Sequence, residues 1–333
     1  MTTPRTAGFG ASRARSSTGH IACGDASRLQ RNLQHARRGT PMPAVLSYCH
    51  CHRLRGSART MSRFASFALS LIVAGTALLG AGAARAQLLF STPPAQAAQL
   101  GKPLPAALLA QLAQASQRGL RVTQVPQPLH LEAIHGPVLG KPPVLLYVGA
   151  EFCPYCAAQR WGVTLTLLRF GRLSGLRYML SSAHDVFPDT ATVSFAQARF
   201  QSAALALQAY ETADRDQKPL MRMPALAQQI FKRYDVPPHV QYAYGIPFVY
   251  LDGAYLLSQP MISPGSLAGM NWQQIAAQLD DPRSALFAAI MPRVNLLSAA
   301  ICRVNGGPPA TGCGAPGVRA AAAALARLPA AAH

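Results

Sequence analysis

"VLLYVGAEFCPYCAAQRW", residues 144–161, changes pattern twice within eighteen residues. Its first seven residues, Val144 to Ala150, form a short continuous apolar run, the pattern of a strand covered on both faces. The run leads straight into Cys153 and Cys156, two cysteines separated by two residues. From Ala157 to Phe170 the period becomes helical and apolar on nearly every side. Trp161, Leu165 and Leu168 make one row, Val163, Leu167 and Phe170 another, with Gln159, Arg160 and Arg169 as the main polar interruptions. Such a helix packs against a sheet and against something else besides.

Working outward, "LRYMLSS" (176–182) reads as a second strand, so strand, helix and strand predict a right-handed parallel unit. Residues 184–223 contain "TVSFAQARF" and "ALALQAY", whose partial alternation predicts a hairpin insertion, with a helix as the alternative that the alanines allow. "PALAQQIFKRYDV" (224–236) is an amphipathic helix with proline in its first turn. "IPFVYLDGAYLLSQ" (246–259) predicts a β-hairpin around Asp252-Gly253. Residues 263–302 predict a helical extension broken near Pro282 and Pro292. On the N-terminal side, 87–103 reads as linker, 104–116 as a helix, and 120–143 as an irregular lead-in too rich in proline for a central strand. The alanine-rich residues 314–333 are expected to be a disordered tail with nothing to pack.

Compartment is read from residues 61–86. Arg63 is followed by an uncharged apolar run from Phe64 to Ala84, and Ala84-Arg85-Ala86 places small residues where a signal peptidase reads. The expectation is an export signal cleaved before Gln87; a retained membrane anchor is the alternative, since the run is about long enough to span a bilayer. Residues 1–60 hold ten Arg and one acid and no apolar periodicity, and are expected to be an over-extended, disordered N-terminus ahead of a start at Met61. Arg37-Arg38 lies too far upstream of the apolar run for a twin-arginine signal. "YCHCH" (48–52) packs its Cys and His too closely to close a tetrahedral metal site.

The net charge of +19 suggests nucleic acid only at first sight. Residues 1–86 hold twelve Arg and one acid, which leaves 19 basic and 11 acidic residues, +8, scattered singly through 87–333. No basic stripe or aromatic-interleaved run remains, so nucleic acid is discounted as a partner. The four cysteines beyond residue 86 are Cys153, Cys156, Cys302 and Cys313, an even number that suits two pairs in an oxidising compartment.

Strand, CxxC, long helix, strand, helix, X-Pro, hairpin, helix is the order of a thioredoxin-like α/β fold, a central mixed sheet flanked by helices. Here it would span residues 131–313, with an insertion at about 184–223, a lead-in over 87–130 and a helical C-terminal extension. "VLLYVGAEFCPYCAAQRW", "SSAHDVFPDTATVSF" (181–195), "GIPFVYLDGAY" (245–255), "LAGMNWQQIAAQLDDP" (267–282) and "NLLSAAICRVNGGPPATGC" (295–313) resemble an uncharacterised thioredoxin-like family, domain-of-unknown-function family 929 of bacteria and archaea. The resemblance implies that fold and an exported location, and brings no established reaction.

The chemistry is argued from the motif. A cysteine at a helix N-terminus faces exposed amides and the positive end of the helix dipole, which favours its thiolate. Cys153 is therefore the candidate nucleophile and Cys156, one turn inside, the resolving thiol. Pro154 fits the first helical position, and Tyr155 and Glu151 are expected to line the site. The resemblance adds a cis-proline facing the motif, at Ile246-Pro247, with the Ile246 backbone left to pair with a substrate. The buried acid of thioredoxin, six residues before the first cysteine, corresponds to Tyr147; Glu151 is the candidate substitute proton acceptor, with a solvated surface charge as the alternative. Ser181, Ser182, His184 and Asp185 would line the same sheet edge or form an ordinary loop. Cys302 and Cys313 bracket a Gly/Pro-rich loop and predict a stapling disulfide, with a second redox pair as the alternative. A zinc site is disfavoured because C-x10-C fits no usual ligand spacing. The expected function is exported thiol–disulfide exchange with protein thiols and an unidentified redox partner, without metal or bound cofactor and at a membrane only if the signal segment is retained. The alternative is a non-catalytic binding module stabilised by its disulfides.

Overall fold

The computed structural model describes residues 92–329 apart from 241–242, 258 and 307–311. The segments 1–60 and 61–86 lie outside the described residues. Nine strands are described: β1 Leu131–Ala133, β2 Val144–Gly149, β3 Arg172–Ser174, β4 Arg177–Leu180, β5 Ala191–Ser194, β6 Arg199–Gln201, β7 Ala206–Glu211, β8 Phe248–Leu251 and β9 Tyr255–Leu257. The longer helices are α1 Ala106–Gly119, α2 Pro154–Phe170, α3 Ala225–Tyr234, α4 Trp272–Asp280, α5 Ala285–Val304 and α6 Pro316–Leu325.

The fold is α/β, built on a mixed five-stranded sheet in the order β1-β9-β8-β2-β7. Period-two alternation sends successive side chains to opposite faces. Leu145 and Tyr147 of β2, Val249 and Leu251 of β8, and Tyr255 and Leu257 of β9 join the large core shared with α1, α2, α4 and α5. Leu146, Val148, Phe248, Tyr250 and Leu256 point the other way, onto Ala227, Ile230 and Tyr234 of α3. Both faces of the central strands are thus covered, which is why β2 reads as an unbroken apolar run.

The strand pairing corrects one expectation. Residues 176–182 do supply a strand, but β4 pairs antiparallel with β5 in a separate ribbon. The parallel partner of β2 is β7, in register Val144↔Ala206 to Gly149↔Glu211. The segment expected to be a hairpin insertion therefore contributes a strand of the main sheet. β5 and β6 do not pair with each other; they return along β4 and β3, closing over the short loop 181–190, and a short loop costs little entropy to close. Between the two halves of this ribbon, Gly175 and Leu176 face four residues, 195–198. The extra residues bulge on the 195–198 side, and Gly175 lies opposite them at φ +74°, where a Cβ would collide with the Gln197 carbonyl.

The hairpin β8–β9 is closed by three residues, 252–254; Asp252 and Gly253, both at positive φ (43° and 81°), are the central pair of a turn in which the Ala254 N–H donates to the Leu251 carbonyl at 2.9 Å. The Asp252 carboxylate also accepts from the Leu139 N–H at 2.7 Å, tying the lead-in to the turn. The segment expected to be a linker is partly built in. Gly101 N–H donates to the Tyr178 carbonyl and Leu104 N–H to that of Leu176, lining 101–104 along β4.

Two further expectations change at the C-terminal end. The chain breaks between α4 and α5, but α5 runs through Pro292 unbroken. An internal proline costs about 3 kcal/mol, and the burial of most of this helix, including Phe287, Ile290, Met291, Val294, Leu297 and Ile301, offsets it. α5 is long and apolar enough to cross a membrane, yet 78% of its most apolar 18-residue window is buried inside the fold, as in a core helix. Residues 316–325, expected to be disordered, form α6 against α5, with Val318, Ala321, Ala324 and Leu325 buried. Alanine offers little hydrophobic periodicity to read, but its small side chain lets two helices approach closely.

Candidate functional site

Cys153 is the N-cap of α2, in an extended conformation (φ −79°, ψ 121°), with Pro154 at the first helical position. Its sulfur accepts the backbone N–H of Cys156 at 3.3 Å, one of the amides that a helix start leaves without an intrahelical partner. Both cysteines are free thiols. Cys153 keeps 6% of its surface exposed and Cys156 none, so anything that approaches meets Cys153 first.

The second wall comes from a distant part of the chain. The Ile246–Pro247 peptide is cis, and the Ile246 carbonyl oxygen lies 3.7 Å from Cys153 Sγ. Beside it runs a groove of about 760 Å³ lined by Tyr155, Asp235, His239, Ile246, Pro247 and Gln259. Tyr155 stands exposed at its edge.

The two thiols are electrostatically unequal. The hydrogen bond from the Cys156 thiol draws Cys153 below the ordinary thiol range. Burial opposes this, and the Cys156 and Tyr155 amides and the Arg160 guanidinium reinforce it. Burial pushes Cys156 well above that range, helped by its bond to Cys153. A low-pKa outer thiol over a high-pKa inner one is the division of labour that thiol–disulfide exchange needs.

Beneath the motif lies a charge pair that sequence reading missed. Arg160, fully buried, donates from Nε to Glu211 Oε1 at 2.8 Å and from Nη2 to Oε2 at 3.0 Å. The same Nη2 reaches the Ala150 carbonyl at 2.5 Å, an oxygen that also accepts the Cys153 N–H at 3.2 Å. The only signal in the sequence was a charge where the helix should be apolar. Glu211, 51 residues away, carried no sign of being its partner.

Residues 138–303 match the family described as domain of unknown function, DUF929. That is the stretch holding β2, the CPYC turn, Ile246–Pro247 and α5. No curated protein and no solved structure matches the chain.

Other predicted residues of the matched region fall in several places. Glu151 is buried beside the motif, where its carboxylate accepts from Ser194 Oγ. Burial raises its pKa, which the Ser194 bond partly counters. The loop 181–190 does reach the motif: Ser182 N–H donates to the Phe152 carbonyl at 2.8 Å, and Phe187 meets Tyr155 edge-on at 6.0 Å. His184 is exposed, and the Asp185 carboxylate accepts the neighbouring Val186 N–H, an ordinary loop arrangement. Tyr147 is buried under the sheet, its hydroxyl without a hydrogen-bond partner among the described residues. Among the described residues no three His, Cys, Asp or Glu are grouped to hold a metal ion.

Cys302 and Cys313 form a disulfide, with Cα atoms 5.8 Å apart. It lies at the opposite pole from the CPYC turn. Arg169, sixteen residues along α2 from Cys153, bonds Asn295 and Ser298 on α5, one turn before Cys302. At about 1.5 Å per residue, α2 carries that contact about 24 Å from Cys153. Direct exchange between the two pairs is out of reach in this structure, which favours the staple.

Proposed function

We propose that the DUF929 region is a thioredoxin-like domain that carries out thiol–disulfide exchange outside the cytoplasm. The observation that carries the reading is the placement of Cys153. Its sulfur caps the start of α2 under the Cys156 amide and lies 3.7 Å from the Ile246 carbonyl, beside the groove that Ile246, Pro247 and Tyr155 line. The fold reading is supported by the order of parts: a central strand, CPYC at a helix start, a parallel strand β7, helix α3, and a hairpin entered through a cis-proline.

The reaction balances without a cofactor. Cys153 thiolate attacks one sulfur of a substrate disulfide, the S–S bond breaks, and the other half leaves as a thiolate that takes a proton from water. Cys156 then loses its proton, attacks Cys153 Sγ in the mixed disulfide, and releases the second substrate thiolate. The protein dithiol is oxidised to a disulfide while the substrate disulfide is reduced by the same two electrons, and the reverse sequence oxidises a dithiol substrate. Ile246 and Pro247 form the substrate edge, Pro154 and Tyr155 the rim, and a redox partner resets the pair.

Export rests on residues 61–86, and the Cys302–Cys313 disulfide supports it, because such bonds persist in oxidising compartments. The test is trapping. In Cys156→Ala, a cysteine-containing protein disulfide should accumulate as a mixed disulfide on Cys153. If none forms and Cys153 titrates near the free-thiol value of about 8.5, the non-catalytic binding module is the better reading.

A further inference from the structure

We infer that Arg160, held by Glu211 beneath the CPYC turn, is the positioning residue that sets the thiolate character of Cys153 and so the redox poise of the Cys153–Cys156 couple. The inference rests on the redox reading above. Arg160 lies seven residues after Cys153, two turns on along the same face of α2. Long helical side chains turn back toward the N-terminus, and this one does so, its Nη2 reaching the Ala150 carbonyl that also holds the Cys153 N–H. The cation is therefore one shared oxygen away from the backbone of the nucleophile. Glu211 anchors it from β7, in register with Gly149 of β2, and its carboxylate also accepts the Phe195 N–H at 3.3 Å.

Nothing in this cluster is exposed. Arg160, Glu211, Tyr147 and Cys156 show no accessible surface, so their charges are little screened. A buried ion pair is weak evidence for a stabilising role, and this one leaves a donor unused: Arg160 Nη1 has no hydrogen-bond partner among the described residues. The ionisable groups facing the guanidinium are Tyr147 from β2, Glu151 from the turn, Glu211 from β7, and Cys153 and Cys156 from its own helix. Its charge favours the ionised form of Tyr147, Glu151, Cys153 and Cys156. In a disulfide both sulfurs are neutral and gain nothing from a cation, whereas the dithiol gains through its thiolate. Arg160 therefore favours the reduced pair and makes the couple more oxidising, and Glu211 limits how far. Where thioredoxin has a buried acid, this chain has the neutral Tyr147 with a cation below it.

Two variants should move the site in opposite directions. Glu211→Gln leaves the guanidinium uncompensated, and Cys153 should become more acidic by about one pKa unit, a tenfold rise in the thiolate-to-thiol ratio. The double variant Arg160→Met/Glu211→Leu removes both charges at similar volume. It should raise the Cys153 pKa by about one unit. Thiolate absorbance against pH reads the pKa, and equilibration with a dithiol buffer reads the couple, which should turn more oxidising in the first variant and more reducing in the second. Arg160→Lys, which keeps the charge, should stay close to wild type if either of the others fails to fold. A pair that only braces the fold would shift both variants the same way or neither, and either result overturns the inference. If Cys156→Ala traps no mixed disulfide, the redox reading itself fails; trapping with unmoved pKa values fails Arg160 alone.

Discussion

Cys153 Sγ lies 3.7 Å from the carbonyl oxygen of Ile246, across 93 residues of sequence. The contact joins the start of α2 to the entry of the β8–β9 hairpin, so the thiol is presented between two rigid elements.

That placement predicts unequal thiols. In the reduced protein, Cys153 should be alkylated at a pH below the ordinary thiol range, while Cys156, buried and pushed above that range, should stay unmodified until the fold opens. Mass mapping after iodoacetamide treatment across pH checks this. Equal labelling would contradict the asymmetry.

Arg169 predicts a large structural effect far from the thiols. It is buried, has no carboxylate partner among the described residues, and donates to Ser116 Oγ and the Ser116 carbonyl, Asn295 Oδ1 and Ser298 Oγ, bridging α1, α2 and α5. Burial lowers its pKa to about 9, so it remains charged at neutral pH. Arg169→Met strands those acceptors and should cost about 3 kcal/mol in chemical denaturation. The Cys153 pKa should not change.

The Cys302–Cys313 bond closes a loop of 12 residues. Replacing both cysteines with alanine should lower stability by about 3 kcal/mol and leave the exchange rate at Cys153 unaltered. Loss of turnover with a reductant supplied directly to the CPYC pair would count against a staple.

Asp235 predicts a pH effect on stability. It ends α3 against the groove, with Oδ2 lacking a hydrogen-bond partner among the described residues, and burial pushes its pKa up to about 7 against the pull of the Gly245 N–H. Because the folded value is raised, the folded protein binds more protons than the unfolded chain between the ordinary carboxylate range and about 7. Stability therefore falls as pH rises through that window. Asp235→Asn removes this component, so the Tm of the variant minus that of wild type should increase from about pH 5 to about pH 8. A constant difference would mean the carboxyl ionises normally.

Much of this arrangement is legible in consecutive residues. The uninterrupted apolar run of β2, the helical period after Cys156 and the Asp252-Gly253 turn each state a local conformation, because backbone φ/ψ limits and side-chain period act over a few residues. The partner of β2 was less legible. An apolar strand is complementary to any apolar strand, and β7 lies far down the chain, beyond the β4–β5 ribbon. α6 was hidden for a related reason: alanines acquire a buried face only once α5 is there to cover it.

A thiol pair where a strand gives way to a helix, and a proline leading into a later hairpin, are written in consecutive residues, since both are constraints between neighbours. That Arg160 meets Glu211 beneath those thiols, and that the Ile246 carbonyl comes within 3.7 Å of Cys153 Sγ, follows from the folded arrangement alone. Such contacts depend on which surfaces cover each other, a choice made by the summed burial of many distant side chains and written in no single segment.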